Sequence, residues 1–322
     1  MADKVRNYKY DNIRFILILL VVICHLLGDV SGDNIAKFYK VIYSFHMPAF
    51  LFLSGFFARL DGRKWVANFL MPYAIFQVLY ELFNYYVTHE STAVKLQFTW
   101  PRYVLWYLFV LMVYYLLIPV LSAFTGWGRY VLLAVTVAMA LLVGYDTDIT
   151  YPVVYRIFSF LPFFTAGYYI GHDKKLQAGI EGQRRWLLPV AFVLAVSGSI
   201  YVCNSGVTKS MLYAKHSYVE AGYTPQLKLL LMLIAAVWTL LLFLVVPNIQ
   251  VPYLSGIGSR TLAIFILHGF VVKYLRYIDF FHYGEALNLI FTILVALILV
   301  LVLGSRPVYK FFTNAFTGAR WS

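Results

Sequence analysis

Ten long apolar runs leave this chain few choices of solvent. They lie at 12–30, 41–59, 66–88, 102–122, 130–146, 153–171, 186–203, 227–247, 260–276 and 285–304. Each is close to the ~20 residues with which an α-helix crosses hydrocarbon. The expected fold is therefore all-α, a polytopic membrane protein of about ten transmembrane helices. The balance of residues agrees, with 62% hydrophobic and only 12% charged across 322 residues, far from the composition of a soluble domain. Aromatic residues make up 19%, more than interfacial belts require, so many rings are expected to line packed interiors or a cavity.

The net charge of +12 is informative through its distribution. With the N-terminus inside, 15 Lys and Arg residues fall on the cytoplasmic side against 9 on the other, with Arg14 and Arg156 inside spans. That bias predicts both termini in the cytoplasm. The first run follows basic residues as a secretory signal does, but it is longer than a signal core and no small-residue cleavage site follows it. The chain reads as a single transmembrane domain, 1–322, with no appended soluble domain, repeat or low-complexity tail. Its longest polar connection, about 204–226, falls outside in this topology. Cys24 and Cys203 sit in apolar segments and imply no disulfide framework, although one bridge between them stays open. Oligomeric state is not legible in the sequence.

Ionisable groups at membrane depth are costly, and they normally face the protein interior or a water-filled cavity. The first run carries Asp11, Arg14, His25 and Asp29. Eleven residues of helix separate Arg14 from His25, about three turns and about 16 Å, which puts both on one face half a membrane apart. Asp11 and Arg14, at i,i+3, are spaced to pair, as at a helix start that reaches back to the interface. His25 has apolar same-face neighbours, Ile18, Val21 and Val22, and a neutral imidazole can take and return a proton. A satisfied structural histidine is the plain alternative.

The second run places His46 and Pro48 at its outer end, and Ser54–Gly55 where backbones can approach closely. Arg59, Arg63 and Lys64 follow it. They obey the positive-inside rule, and they would also suit the phosphates of a cytosolic nucleotide-like donor. Gln77, Glu81 and Asn84 form a polar stripe on one face of the third run, at the depth expected for His25. Glu81 is thus a candidate to orient that histidine, with Asp29 as its rival. Arg156 and His268 complete the intramembrane set, and each also fits a packing or anchoring role. No phosphate-binding glycine loop, zinc-type His/Glu spacing, GxSxG elbow or dinucleotide fingerprint occurs, and there is no soluble basic surface for nucleic acid. No metal is expected.

Arg14-x10-His25, Asp11 three residues before that arginine, and the phrase SFHMPAFLFLSGFF together resemble the acyltransferase 3 family of integral-membrane O-acyltransferases. The second-run wording is most similar to its fucose-4-O-acetylase-like branch. The segments WYLFVLMVYYLLIPVL, RIFSFLPFFTAGYYIG and SRTLAIFILHGF also look like family segments, so the resemblance runs over nearly the whole chain. It implies transfer of an acyl group, usually acetyl from cytosolic acetyl-CoA, to a hydroxyl of a sugar or other envelope glycan outside the cytoplasmic membrane. His25 matches the motif histidine taken as catalytic, and Arg14 the arginine on the donor side. Family members often carry a further soluble domain, which is not expected in these 322 residues.

The resulting assignment makes His25 catalytic, oriented by Glu81 or Asp29. Arg14, Asp11, Arg59, Arg63 and Lys64 form the donor entrance for acyl-CoA. Arg156, His46, Trp106 and His268 are acceptor-binding candidates, with Arg156 suited to an acidic or phosphorylated group and outer Tyr and Trp residues to sugar rings. Tyr85, Tyr86, Trp100, Tyr151 and Tyr155 are the rings in question, and an interfacial belt would use the same ones. A secondary transporter of an anionic solute would also need buried Arg, Glu and His, but no clear inverted repeat accompanies them. A non-catalytic membrane scaffold would not need the basic ring and the His25 alignment together.

Overall fold

The computed structural model describes residues 7–28 and 30–317. The long helices are α1 (Tyr8–Leu27), α2 (Asp33–Phe56), α3 (Gly62–Tyr86), α4 (Tyr103–Leu116), α5 (Gly128–Leu142), α6 (Pro152–His172), α7 (Lys174–Gly182), α8 (Arg184–Asn204), α9 (Pro225–Val245), α10 (Thr261–Tyr277), α11 (Glu285–Leu303) and α12 (Arg306–Phe316). No strand occurs among the described residues.

Among the described residues seven helices are long and apolar enough to cross a membrane: α1, α3, α5 with its continuation to Tyr145, α6, α8, α9 and α11. By length and composition seven are candidate spans, where the sequence leads to an expectation of about ten. The other three runs do fold as helices, α2, α4 and α10, but each falls short for a physical reason. The α10 helix has 17 residues and α4 fewer, while α2, at 24 residues, is diluted by Tyr39, Ser44, His46, Pro48 and Ser54. A polar, proline-bearing helix is tolerated at membrane depth where neighbouring helices enclose it.

Enclosure starts with α1. Asn7 accepts from the Lys9 N–H at its N-terminus (3.1 Å), and Asn248 accepts from the Tyr8 N–H (2.8 Å), so donors left over at the helix start are satisfied. Ile13, Leu17, Ile18, Val21, Val22 and Leu27 have no exposed surface. Asn12 ties the helix sideways, accepting from Ser255 (2.7 Å) and donating to the Ile249 carbonyl (2.9 Å). The helix that a hydropathy scan places first is thus the centre of the bundle.

Close backbone approach holds α2 to α6. A Cβ added at Gly55 would strike the Phe164 carbonyl, one at Gly167 the Phe52 carbonyl, and one at Gly171 the Phe56 carbonyl. Helices in lipid gain little from apolar burial against each other, so such van der Waals contact is what fastens them. At the other end of α2, Glu285 of α11 accepts from the Ile35 N–H (2.9 Å), a carboxylate at the positive end of the helix dipole. Gly32, at φ 143, stands where a side chain would displace that carboxylate.

The polar stripe of α3 has a definite partner. Gln77 donates to the carbonyls of Gln97 (2.7 Å) and Trp100 (2.8 Å) and accepts from the Arg102 N–H (2.9 Å). Glu81 accepts from the Lys95 N–H (3.0 Å) and pairs with the Arg102 guanidinium (2.8 Å). The stripe therefore pins the 87–102 connection back over the bundle, satisfying a loop that would otherwise carry bare backbone groups.

Candidate active site

Of the cavities that α1 lines, two receive the polar residues Arg14 and His25. One, of about 250 Å³, is lined by Arg14 with Ser54, Phe57, Phe69, Tyr107 and Phe265 among its walls. The other, of about 360 Å³, is lined by His25 with Tyr103, Trp106, Arg156, Lys215 and Arg276 among its walls. Both are near the size of small-ligand sites. The two polar groups that share one face of α1 thus open into separate spaces.

In the Arg14 cavity the guanidinium pairs with Asp11 (3.3 Å) and lies over the Phe57 ring (4.7 Å). Helix periodicity makes the first contact, since i,i+3 residues are neighbours. Ser54 and Tyr107 share a hydrogen bond (2.8 Å) across the same cavity, joining α2 to α4. Ser54 is therefore a lining residue as well as a small one. Arg59, Arg63 and Lys64 do not line this cavity. Arg59 is exposed on the turn between α2 and α3, and Arg63 and Lys64 are exposed on the first turn of α3; Phe57 of that turn and Phe69 of α3 do line it, and Lys64 pairs with Asp61 (3.4 Å).

His25 occupies the last turn of α1, where Arg276 of α10 donates to its carbonyl (2.6 Å) and holds the helix end. Its imidazole packs 5.1 Å from the Tyr103 ring and 5.2 Å from the His268 ring, centroid to centroid. Among the described residues nothing hydrogen-bonds that imidazole, so its nitrogens are left for what enters the cavity. His268 is fully buried. Its Nδ1 lies 2.9 Å from the Ile264 carbonyl, a contact that makes Nδ1 the protonated nitrogen, and its Nε2 has no partner among the described residues.

A line of rings connects the two spaces. Tyr107 and Phe265, which line the Arg14 cavity, stand 4.8 Å apart, Phe265 lies 6.0 Å from His268, and His268 touches His25. The wall between the cavities is thus one or two aromatic side chains thick along that path.

The other expected residues divide. Arg156 and Trp106 line the His25 cavity, the guanidinium 4.3 Å over the indole. His46 is buried behind the wall, its Nδ1 held by the Ile42 carbonyl (2.9 Å) and its ring against Tyr43, which does line the cavity. Of the outer rings, Trp100 and Tyr151 line it, while Tyr155 donates to the Asp146 carbonyl. Glu81 has partners of its own. Both its oxygens are engaged by Lys95 and Arg102, so it reaches His25 only through the loop it fixes, whose next residue, Tyr103, packs on the imidazole. Asp29 lies outside the described residues. Cys24 and Cys203 are both free, and Cys24 lines the His25 cavity.

Sequence reading missed Arg276, Lys215, Tyr103 and Tyr107 as site residues. Arg276 had a signal, since it follows His268 by eight residues and so shares its helix face. Tyr103 had none, because its place depends on a backbone with φ 45, and Lys215 is delivered by the packing of the 205–224 connection. Among the described residues no group of three His, Cys, Asp or Glu side chains is arranged to hold a metal.

The family model described as an acyltransferase domain matches residues 7–305, which include both cavities. The nodulation protein NolL of Sinorhizobium fredii is 29% identical over 202 residues, 57% of this chain and 54% of its own length. NolL of Mesorhizobium japonicum is 23% identical over 238 residues, 66% of this chain and 60% of its own. The chain spans less than two thirds of the length of either relative. No solved structure matches.

Proposed function

The chain belongs to the acyltransferase 3 family, and we propose from that premise that it moves an acyl group, acetyl in the first instance, from cytosolic acyl-CoA to a sugar hydroxyl on an extracytoplasmic envelope glycan. The wording of the second run, similar to that of the fucose-4-O-acetylase-like branch, supports a glycan as the acceptor. The observation that carries the proposal is the pairing of two cavities on one helix, Arg14 opening one and His25 the other, with a thin aromatic wall between.

In this reading the chain lies in the cytoplasmic membrane with both termini inside, so the Arg14 cavity faces the cytoplasm. Coenzyme A is polyanionic and its pantetheine arm is slim. Its phosphates stay outside, near Arg59, Arg63 and Lys64, while the arm passes Arg14 and displaces the aromatic wall toward His25. Asp11 holds Arg14 in place. The acceptor enters the His25 cavity from the other side. The imidazole takes the proton of the acceptor hydroxyl as its oxygen attacks the thioester carbonyl. The C–S bond then breaks, and the departing thiolate receives the proton from the imidazolium. His268 backs the imidazole, and Trp106, Arg156 and the tyrosines around it hold the acceptor.

Purified protein in lipid vesicles, given acetyl-CoA and a panel of glycan acceptors, should release free coenzyme A thiol in step with acetylated product. Uptake of an anionic solute with no thiol release would replace the reading with transport. For orientation, a cysteine at Gly62, where a side chain meets nothing within 4 Å, should be labelled from the cytoplasm, and one at Ser210 from outside, with Cys24 and Cys203 replaced by serine. The reverse pattern would invert the assignment of the cavities.

A further inference from the structure

The His25 cavity has an unusual charge for a space inside a membrane protein. Arg156 of α6, Lys215 of the 205–224 connection and Arg276 of α10 all line it, and no Asp or Glu does among the described residues. Asp29, which follows the lining residue Gly28, lies outside the described residues, and one carboxylate there would still leave the cations in excess.

The individual contacts sharpen the point. Arg156 Nε donates to the Tyr213 carbonyl (3.2 Å), and the guanidinium plane rests on Trp106 (4.3 Å). Among the described residues it has no carboxylate partner, so its two terminal amino groups are left to the cavity. Lys215 sits over the Tyr213 ring (5.3 Å), and burial together with the neighbouring Arg156 charge pushes its ammonium below the usual lysine range. Arg276 is anchored on the His25 carbonyl and so fixes a cation beside the reacting group. Like charges gathered at reduced dielectric repel, and a cavity built this way is stabilised by an anion that enters it.

Next to the cations the wall is aromatic. Tyr39 and Tyr43 stack at 5.0 Å, and the Tyr39 and Tyr213 hydroxyls meet at 3.1 Å, presenting ring faces with polar tips. A small inorganic anion would need only the charges. A sugar acid needs both the charges and the rings.

Building on the acyl-transfer reading, we infer that the acceptor carries an anionic group, a carboxylate or a phosphate on or beside the sugar ring, and that Arg156 with Lys215 binds it while the hydroxyl to be acylated meets His25. A neutral glycan is then a poor acceptor, selected against by the cost of leaving the cations without a counter-ion.

The test is equilibrium binding to the full chain in detergent, at fixed ionic strength, of glucuronate, glucose 1-phosphate, glucose and inorganic phosphate. Glucuronate or glucose 1-phosphate should bind at least about tenfold more tightly than glucose, the order of one charge-assisted hydrogen bond. Arg156→Gln should lower that affinity about tenfold, Lys215→Gln by less, and Arg156→Lys should recover part of it, which a merely misfolded cavity would not do. Equal binding of glucose and both sugar acids, or unchanged affinity in Arg156→Gln, overturns the inference. Inorganic phosphate binding as tightly as glucose 1-phosphate also overturns it, in favour of a bare anion site. Efficient acetylation of neutral glycans removes the inference and leaves the acyltransferase standing, whereas sugar-acid binding with no acetyl-CoA turnover does the opposite.

Discussion

The two cavities on α1 differ in how their charge is balanced. Arg14 meets Asp11 at 3.3 Å, and the walls around the pair are mostly aromatic and aliphatic. Around His25, Arg156, Lys215 and Arg276 gather with no carboxylate among the described lining residues. A locally neutralised, largely apolar channel suits a slim uncharged arm, while its owner's phosphates remain at the surface. A ring-lined chamber with Arg156 and Lys215 on its wall suits a polar, anionic guest. On the proposed function, the difference would hold the charged parts of the two substrates in different places, one at a surface and one inside a cavity.

The sharpest way to break this contrast is at His25. If the His25 chamber is where chemistry occurs, His25→Ala should lower acyl transfer by about a hundredfold to ten-thousandfold, the usual worth of a positioned general base. Coenzyme A binding, measured separately by equilibrium dialysis, should be unchanged. A variant with near-normal turnover would take His25 out of the reaction and leave the two cavities without a shared purpose.

The next largest effect should fall on the other cavity. Arg14→Ala removes one charge-assisted contact and should raise the donor KM or Kd about tenfold to a hundredfold, with acceptor affinity unaffected. Asp11→Asn should act in the same direction but less, since it only loosens the arginine. Should both substrates lose affinity together, the cavities are one space, and the separation by Phe265 and His268 is not functional.

Tyr107→Phe probes the wall between them. It deletes the bond to Ser54 that ties α2 to α4 while keeping the ring against Phe265. One neutral hydrogen bond is worth about 1 kcal/mol, so a few-fold fall in turnover is expected. An effect as large as that of His25→Ala would make the tyrosine a chemical participant.

How much of this was legible beforehand depended on whether a residue's surroundings were local. Arg14, Asp11 and His25 share one helix, where spacing alone sets faces and distances, and their placement follows the sequence. The peripheral helices α5, α8 and α11 were equally plain as spans, because lipid-facing helices must be apolar on most sides, and only 22% of each span window is buried inside the protein. Three inner helices that build the cavities, α2, α4 and α10, are the ones that fall short as spans, since enclosure by protein releases a helix from the hydropathy rule. The depth of Glu81 suits a partner for His25, but depth does not fix azimuth, and its carboxylate meets the 95–102 loop. Lys215 reached the site through a long connection whose course no periodicity reports.

The smallest expected effect belongs to the surface cations, and it tests the claim that the donor's phosphates never enter the Arg14 cavity. Arg59, Arg63 and Lys64 are exposed, and Lys64 already faces Asp61, so each is screened by water and salt. Neutralising Arg63 and Lys64 together should raise the KM for acetyl-CoA a few-fold at low ionic strength, and the difference should vanish near 0.5 M salt, where the Debye length is only about 4 Å. The Arg14→Ala defect should persist under the same salt, because that guanidinium is mostly enclosed. If instead the double variant is salt-insensitive and as damaging as Arg14→Ala, the phosphates are gripped directly by Arg63 or Lys64 in a folded pocket. The α2–α3 turn would then have to close over the donor, and the cytoplasmic cavity would be as charged in use as the one around His25.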